Sequence, residues 1–355
     1  MNIIIANGQE LNPQIGGIEK DSAILAEQFI SFGHNVYFIV GKKSRFSKAY
    51  IPAANQTFLP DQNNFLTDNN VRFFSEFLLN RNADVLMNQA GDILEFSILC
   101  SEAAKLSNTK LYSVIHFDPL ARLNELSDFS GSILHIYSLF RRLLRIIFYP
   151  FRYYSVKKKL LAHYHKLYET STRIVLLSKY FISPFINLTG LSAKNKITAI
   201  LNPSPELYPS INVNRKKQLL YVGRVKYFQK RTDRIIEIWK KLYREFPDWE
   251  LVIVGDGPLL KDLKKYVLYY KIERVVFKGL CDPEIYYRES EILCMTSTSE
   301  GLGMVLVESV KLGCIPVAFD SFPSIREIIR DNGNGILVNS FSIKKYIKIL
   351  RKLML

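Results

Sequence analysis

The apolar residues of this chain fall into short runs separated by turns of glycine, proline, asparagine and serine. Ile3-Ile4-Ile5-Ala6, Asn35 to Val40, Asp84 to Gln89, Lys110 to Ile115, Arg173 to Leu177 and Lys196 to Leu201 each read as a buried strand. Gly16-Gly17-Ile18-Glu19 opens a helical pattern that runs to about Phe32 and stops at Gly33. Residues 43–80 carry little pattern. Residues 202–216, rich in Pro, Asn and Ser, read as a linker. A second series follows, with strands at Gln218–Val222, Glu250–Val254, Val275–Gly279, Ile292–Met295, Ile315–Phe319 and Ile336–Val338. Helices are expected after Lys230-Arg231, after Gly257-Pro258, at 282–291, after Gly303, over Ser324–Arg330 and from about Ser342. Strands alternating with helices predict parallel α/β sheets. The length of 355 residues suits two such domains.

The most informative stretch is ILCMTSTSEGLGMVLVESVKLGCIPVAF, residues 292–319. It is a β-loop-α-β unit with Gly301 and Gly303 in the loop. Glycines there let backbone approach a ligand, and the helix start at Met304 and Val305 offers free amides to an anion. Glu300 and Glu308 flank these amides, with residues 301–307 between them. Carboxylates accept hydrogen bonds from hydroxyls, and amides take phosphates. That combination suits a nucleotide-sugar. The plain alternative is a loop acid at Glu300 and a solvated helix stripe at Glu308.

The pattern E-G-x-G-x-x-x-x-E resembles the signature of the family 4 glycosyltransferases, of the GT-B fold group. GGIEKDSAILAEQFISFGHNVYFIV near the start, the Gly223-Arg224 strand end and the turn Gly255-Asp256-Gly257-Pro258 match the same family in the same order. The likeness is densest over 218–340 and does not extend to 129–168. It implies two Rossmann-like β/α/β domains facing each other across a cleft. Residues 1–205 would form the acceptor-side domain, 206–340 the nucleotide-sugar domain, and 341–355 the start of a C-terminal helix, with a tail that reads as cut short. Within the family's pattern, Gly16 and Gly17 lie against the donor phosphates or the acceptor, and His116, at a strand end, lies near the donor sugar. Gly223, Arg224 and Lys230 face the diphosphate, although Lys226 and Arg231 are close enough to compete for that role. Leu280 sits in the turn that meets the base through backbone. Glu308 is implied to bind the ribose, and Glu300 the donor sugar. Gly301, Gly303, Met304 and Val305 complete the donor set. His116, Glu300, Arg224 and Lys230 are the implied catalytic residues.

Taken by themselves, Gly16-Gly17 could be a turn, His116 a structural histidine, and the Arg224–Arg231 loop a basic surface. The opening lacks G-x-G-x-x-G, which disfavours a dinucleotide enzyme. No Asp-x-Asp occurs, so neither metal nor cofactor is expected.

Charge changes the picture at one place. The net charge is +15. Residues 129–168 hold no Asp or Glu but carry Arg141, Arg142, Arg145, Arg152, Lys157, Lys158, Lys159 and Lys166 among Leu, Ile, Phe and Tyr. They read as one or two basic amphipathic helices, broken near Pro150. Such helices lie on anionic membranes. The density of large apolar residues disfavours nucleic acid; a helix pair packed on the first domain is the remaining alternative. The four cysteines, Cys100, Cys281, Cys294 and Cys314, have no metal-ligand spacing and suit a reducing compartment. No apolar run reaches the roughly 18 residues of a membrane span, and the first residues lack a signal-peptide pattern. The expected location is the cytoplasm, on the inner face of the membrane. The expected activity is retaining, metal-independent transfer of a sugar from a UDP- or GDP-linked donor to a lipid-linked saccharide acceptor, in surface polysaccharide or glycolipid synthesis. A non-catalytic nucleotide-sugar or polysaccharide-binding module is the alternative.

Overall fold

A computed structural model describes residues 1–12, 17–43, 56–127, 138–192, 195–204 and 214–355. The chain divides into two compact units, residues 1–119 with 157–205, and residues 120–156 with 206–355.

The elements begin with β1 (Asn2–Gln9), α1 (Gly17–Ser31), β2 (Asn35–Lys42), β3 (Gln56–Phe58), α2 (Asp68–Asn80), β4 (Val85–Asn88), α3 (Leu94–Ser107) and β5 (Lys110–Ile115). Next come α4 (Ala121–Ser127), α5 (Ser138–Ile147), α6 (Tyr149–Thr170), β6 (Arg173–Leu176), α7 (Ile182–Thr189) and β7 (Ile197–Ala199). The first unit's sheet is ordered β3-β2-β1-β4-β5-β6-β7, with every pair parallel. Central β1 is buried from Ile3 to Gly8, as a strand covered on both faces must be.

The weakly patterned stretch 43–80 contains β3 and α2. The Thr67 side chain caps α2 by accepting from Asn70 N, and Phe74, Phe77 and Leu78 form its buried stripe. A cap residue followed by that spacing was the signal available in the sequence. The basic segment forms two helices that meet at Phe148, and Pro150 falls in the first turn of α6, where a missing N–H costs nothing. Residues 129–137 of this segment lie outside the described residues, as do most of the linker and Gly16.

The second unit adds β8 (Lys216–Val222), α8 (Thr232–Leu242), β9 (Glu250–Val254), α9 (Leu260–Tyr269), β10 (Val275–Gly279), α10 (Glu284–Glu289), β11 (Ser290–Met295), α11 (Met304–Lys311), β12 (Ile315–Asp320), β13 (Ile336–Asn339) and α12 (Ile343–Met354). Its sheet is parallel and ordered β10-β9-β8-β11-β12-β13. Side chains alternate between two cores. Leu219, Tyr221 and Ile253 face Trp239, Trp249 and Tyr346, while Leu220, Val252 and Leu293 face Leu306 and Ile325.

The helix expected over Ser324–Arg330 is instead a short 3-10 turn, Pro323–Glu327. Asn334 competes for the backbone there. Its Oδ1 accepts from Arg330 N at 2.8 Å, and its Nδ2 donates to Ile328 O at 2.8 Å. In both sheets the strand order reverses at one place, between β1 and β4 and between β8 and β11. Ligands of open α/β sheets bind beyond the strand C-termini at such a reversal.

Candidate active site

In the second unit the reversal brings together the loops after β8 and β11. The first is Gly223 to Arg231. It rests on the turn that follows β9. Gly223 N donates to Val254 O at 3.0 Å, Val225 N to Asp256 O at 2.9 Å, and Leu259 N to Val225 O at 3.1 Å. The two loops are so close that a Cβ on Gly255 would sit 2.0 Å from Gly223 O, and one on Gly257 2.3 Å from Val225 O. The Gly-Asp-Gly-Pro turn therefore holds the loop in place from behind.

Lys230 lies between two residues with left-handed backbone, Gln229 at φ 68 and Arg231 at φ 46. Such backbone costs energy in a residue other than glycine and persists only when surrounding bonds enforce it. The residues after β11 supply them. Thr298 N and Thr298 Oγ1 both donate to Gln229 O, at 2.6 and 3.2 Å, and Thr296 Oγ1 donates to Arg231 O at 3.0 Å. Arg231 is further held by a two-bond fork to Asp233, Nε to Oδ1 and Nη2 to Oδ2, both 3.0 Å, and lies over the Tyr227 ring. Its guanidinium is thus engaged within the loop. Lys230 points elsewhere: its Nζ is 2.6 Å from Glu300 Oε1, with Lys230 18% and Glu300 7% exposed. Lys226 is half-buried, and burial followed by the nearby Lys230 charge lowers its pKa. Arg224 is exposed.

Residues 296–303 are all buried. Ser321 Oγ donates to Ser297 O at 2.7 Å and Ser324 Oγ to Gly301 O at 2.5 Å. Gly303, at φ 87, turns the chain into α11, which has no side-chain cap at its start. The first amides of the helix, at Met304 and Val305, are therefore not engaged by a capping side chain. One turn further on, Glu308 is 7% exposed, so the solvated-stripe reading of it fails. Its Oε2 accepts from Tyr287 OH at 3.0 Å. Leu280 is exposed, in the turn after β10.

In the first unit, Gly17 begins α1, and a Cβ there would meet no atom of the described residues within 4 Å. His116 follows β5 and is buried. Its Nε2 is 2.6 Å from Gln89 Oε1, its Nδ1 has no hydrogen-bond partner among the described residues, and burial lowers its pKa to about 4. The ring is therefore neutral near pH 7. Among the described residues no three His, Cys, Asp or Glu side chains converge to hold a metal ion, and no helix is long and apolar enough to cross a membrane.

The structure thus brings Lys230, Glu300 and the start of α11 to one sheet reversal, with Glu308 on the same helix. Sequence reasoning did not find Gln89, Thr296, Thr298, Asp233 or Tyr287. All five act through side-chain bonds that leave no periodic trace.

Residues 206–355 match the model of the glycosyl transferases group 1 family, so the second unit carries that domain. An uncharacterized glycosyltransferase of Haemophilus influenzae is 32% identical over 158 residues, 43% of this chain and 44% of that protein. The amylovoran biosynthesis glycosyltransferase AmsD of Erwinia amylovora is 37% identical over 131 residues, 36% of each chain. The matches thus span less than half the length of these relatives. The crystal structure of Anabaena Alr3699/HepE in complex with UDP-glucose superposes with a TM-score of 0.72 at 15% identity, covering 99% of this chain and 89% of that one. The fold is that of the GT-B glycosyltransferases.

Proposed function

We propose that this protein is a retaining glycosyltransferase of family 4. It moves a sugar from a UDP- or GDP-linked donor to a lipid-linked saccharide, in surface polysaccharide or glycolipid synthesis. The observation that carries this reading is the Lys230–Glu300 pair, 2.6 Å apart and mostly buried at the sheet reversal beside the uncapped start of α11. A cation, a carboxylate and free amides in one place match a diphosphate joined to a sugar. HepE, of the same fold, was crystallised with UDP-glucose, and AmsD is named for amylovoran biosynthesis.

In this proposal the bond from the anomeric carbon to the β-phosphate oxygen breaks, and negative charge grows on the diphosphate. Arg224, Lys230 and the amides from Gly303 to Val305 stabilise it, with Gly223 and Gly301 keeping backbone close. Removing one such donor typically raises a barrier by about 2.7–4 kcal/mol. These groups do the work that a divalent cation would otherwise do. Glu300 accepts from the sugar hydroxyls and balances positive charge at the anomeric carbon. The acceptor oxygen attacks on the face that the phosphate leaves, and the phosphate takes its proton. Glu308 holds the ribose, and backbone near Leu280 meets the base. Gly16, Gly17 and neutral His116 are the first unit's proposed contribution, with His116 as a hydrogen-bonding partner of the sugar.

The membrane is the proposed location, at its inner face. Leu143, Ile146, Ile147, Phe148, Phe151 and Tyr154 are exposed along α5 and α6, close to exposed Arg152, Lys158 and Lys159. That mixture suits an anionic lipid surface.

Thermal stability against UDP-, GDP-, ADP- and CMP-sugars in EDTA, together with product analysis, tests the proposal. A ligand at about 100 times its Kd adds roughly 2.7 kcal/mol. The expected result is a shift with one nucleotide class that is lost in Glu308→Ala, and turnover unaffected by EDTA. A shift without turnover on any acceptor supports the non-catalytic module instead. No shift with any donor overturns the reading.

A further inference from the structure

Tyr287 is buried, with 1% of its surface exposed, on the short helix α10. A buried tyrosine must find a partner for its hydroxyl, and this one donates to a carboxylate, Glu308 Oε2, at 3.0 Å. Burial and then the Glu308 charge push the phenol well above its ordinary range, so it remains a donor wherever the carboxylate is ionised.

The backbone around Tyr287 is clamped. Its N–H donates to Pro283 O at 3.1 Å, and its carbonyl accepts from Arg215 Nη1 at 3.1 Å. Arg215 also donates to Ser290 O at 2.7 Å and to Leu312 O, just past the end of α11, at 2.6 Å. One guanidinium therefore fixes the helix that carries Tyr287 and the helix that carries Glu308. Gly313 makes room for this clamp, since a Cβ there would lie 2.6 Å from Arg215 Nη2. At its other end α10 starts from the turn Gly279–Pro283, where Gly279 has φ +71 and Glu284 N bonds Asp282 Oδ1 at 3.0 Å.

We infer that Tyr287 is a positioning residue: its hydroxyl holds the Glu308 carboxylate ready for a ribose diol and joins it rigidly to the turn beside the base. The inference rests on the donor-site reading above. A glutamate side chain loses rotamer freedom when it binds a ligand. A bond already made at Oε2 removes that cost before the ligand arrives.

The test uses the full chain with UDP, GDP and their 2′-deoxy forms, titrated by calorimetry. Tyr287→Phe keeps the ring and removes only the hydroxyl. It should weaken the ribonucleotide that binds by about tenfold, the scale of one hydrogen bond to a charged group. The 2′-deoxy form should weaken much less, so the preference for ribose shrinks. In turnover the KM for the sugar donor should rise while kcat holds. Tyr287→Phe added to Glu308→Ala should cost nothing further, because the two act as one unit. If Glu308→Ala weakens binding but Tyr287→Phe leaves the ribose preference intact, or if the two losses add, Tyr287 merely packs and the inference falls alone. If Glu308→Ala binds both nucleotides as the native chain does, the donor reading falls and takes the inference with it.

Discussion

Burial sets the chemistry of His116. With its ring enclosed and its pKa lowered from 6.5 to about 4, the folded protein keeps a neutral imidazole where the unfolded chain takes up a proton. Between about pH 6.5 and pH 4 the unfolded state binds more protons, so stability should fall as pH drops through that window. His116→Asn should flatten this part of a melting-temperature profile measured from pH 7.5 to 4. Parallel profiles for the two proteins would mean that the folded ring titrates normally. The position of His116 at a strand end was legible, because Lys110–Ile115 is an unambiguous apolar run. Its partner Gln89 was not: the two are 27 residues apart and joined by a single side-chain bond. Glu308 shows the same limit. Its place in the motif is visible in the sequence, whereas its burial and its bond to Tyr287 exist only after α10 packs against α11.

Among elements, the loops after β8 and β9 act as a pair. Gly255 has φ +136 and no space for a Cβ, so Gly255→Ala must displace Gly223 and with it the backbone leading to Lys230. Strained backbone and overpacking together should cost more than about 2 kcal/mol. Gly17→Ala is the control, since nothing among the described residues lies within 4 Å of a Cβ there. Its melting temperature should stay within a degree or two of native, so any loss of donor affinity would report on a ligand passing close to Gly17. Equal melting temperatures for the two variants would contradict the close approach of the loops. Most elements were legible because short apolar runs bounded by glycine have few other readings; β5, β9 and β10 match their expected limits. The exceptions have local causes. Asn334 diverts the segment after Pro323 from a helix, and the stripe of α2 is obscured by Asp68, Asn69 and Asn70 at its start.

For the whole molecule, the +15 charge and the exposed strip along α5 and α6 belong to one prediction. Each basic residue near an anionic bilayer contributes about 1 kcal/mol, so replacing Arg152, Lys158 and Lys159 with alanine should reduce vesicle partitioning by about 100-fold. Binding should weaken with salt and be slight on neutral vesicles, while nucleotide affinity stays unchanged. Equal binding to neutral and anionic vesicles would remove the charge from the argument. The two-domain organisation was legible, but not that residues 120–156 group with the later unit. Their partners lie far along the chain, as when Ser299 Oγ donates to Glu125 Oε1 at 3.3 Å. This interleaving has a consequence during synthesis. Residues 120–156 leave the ribosome before residues 206–355, the rest of their unit, have been made. At about 5–20 residues per second, the 199 residues from 157 to 355 take roughly 10–40 s. Over that interval Arg141, Arg142, Arg145 and Arg152, with no acidic residue among positions 129–156, repel one another and neighbouring copies and so oppose premature association of the apolar residues between them.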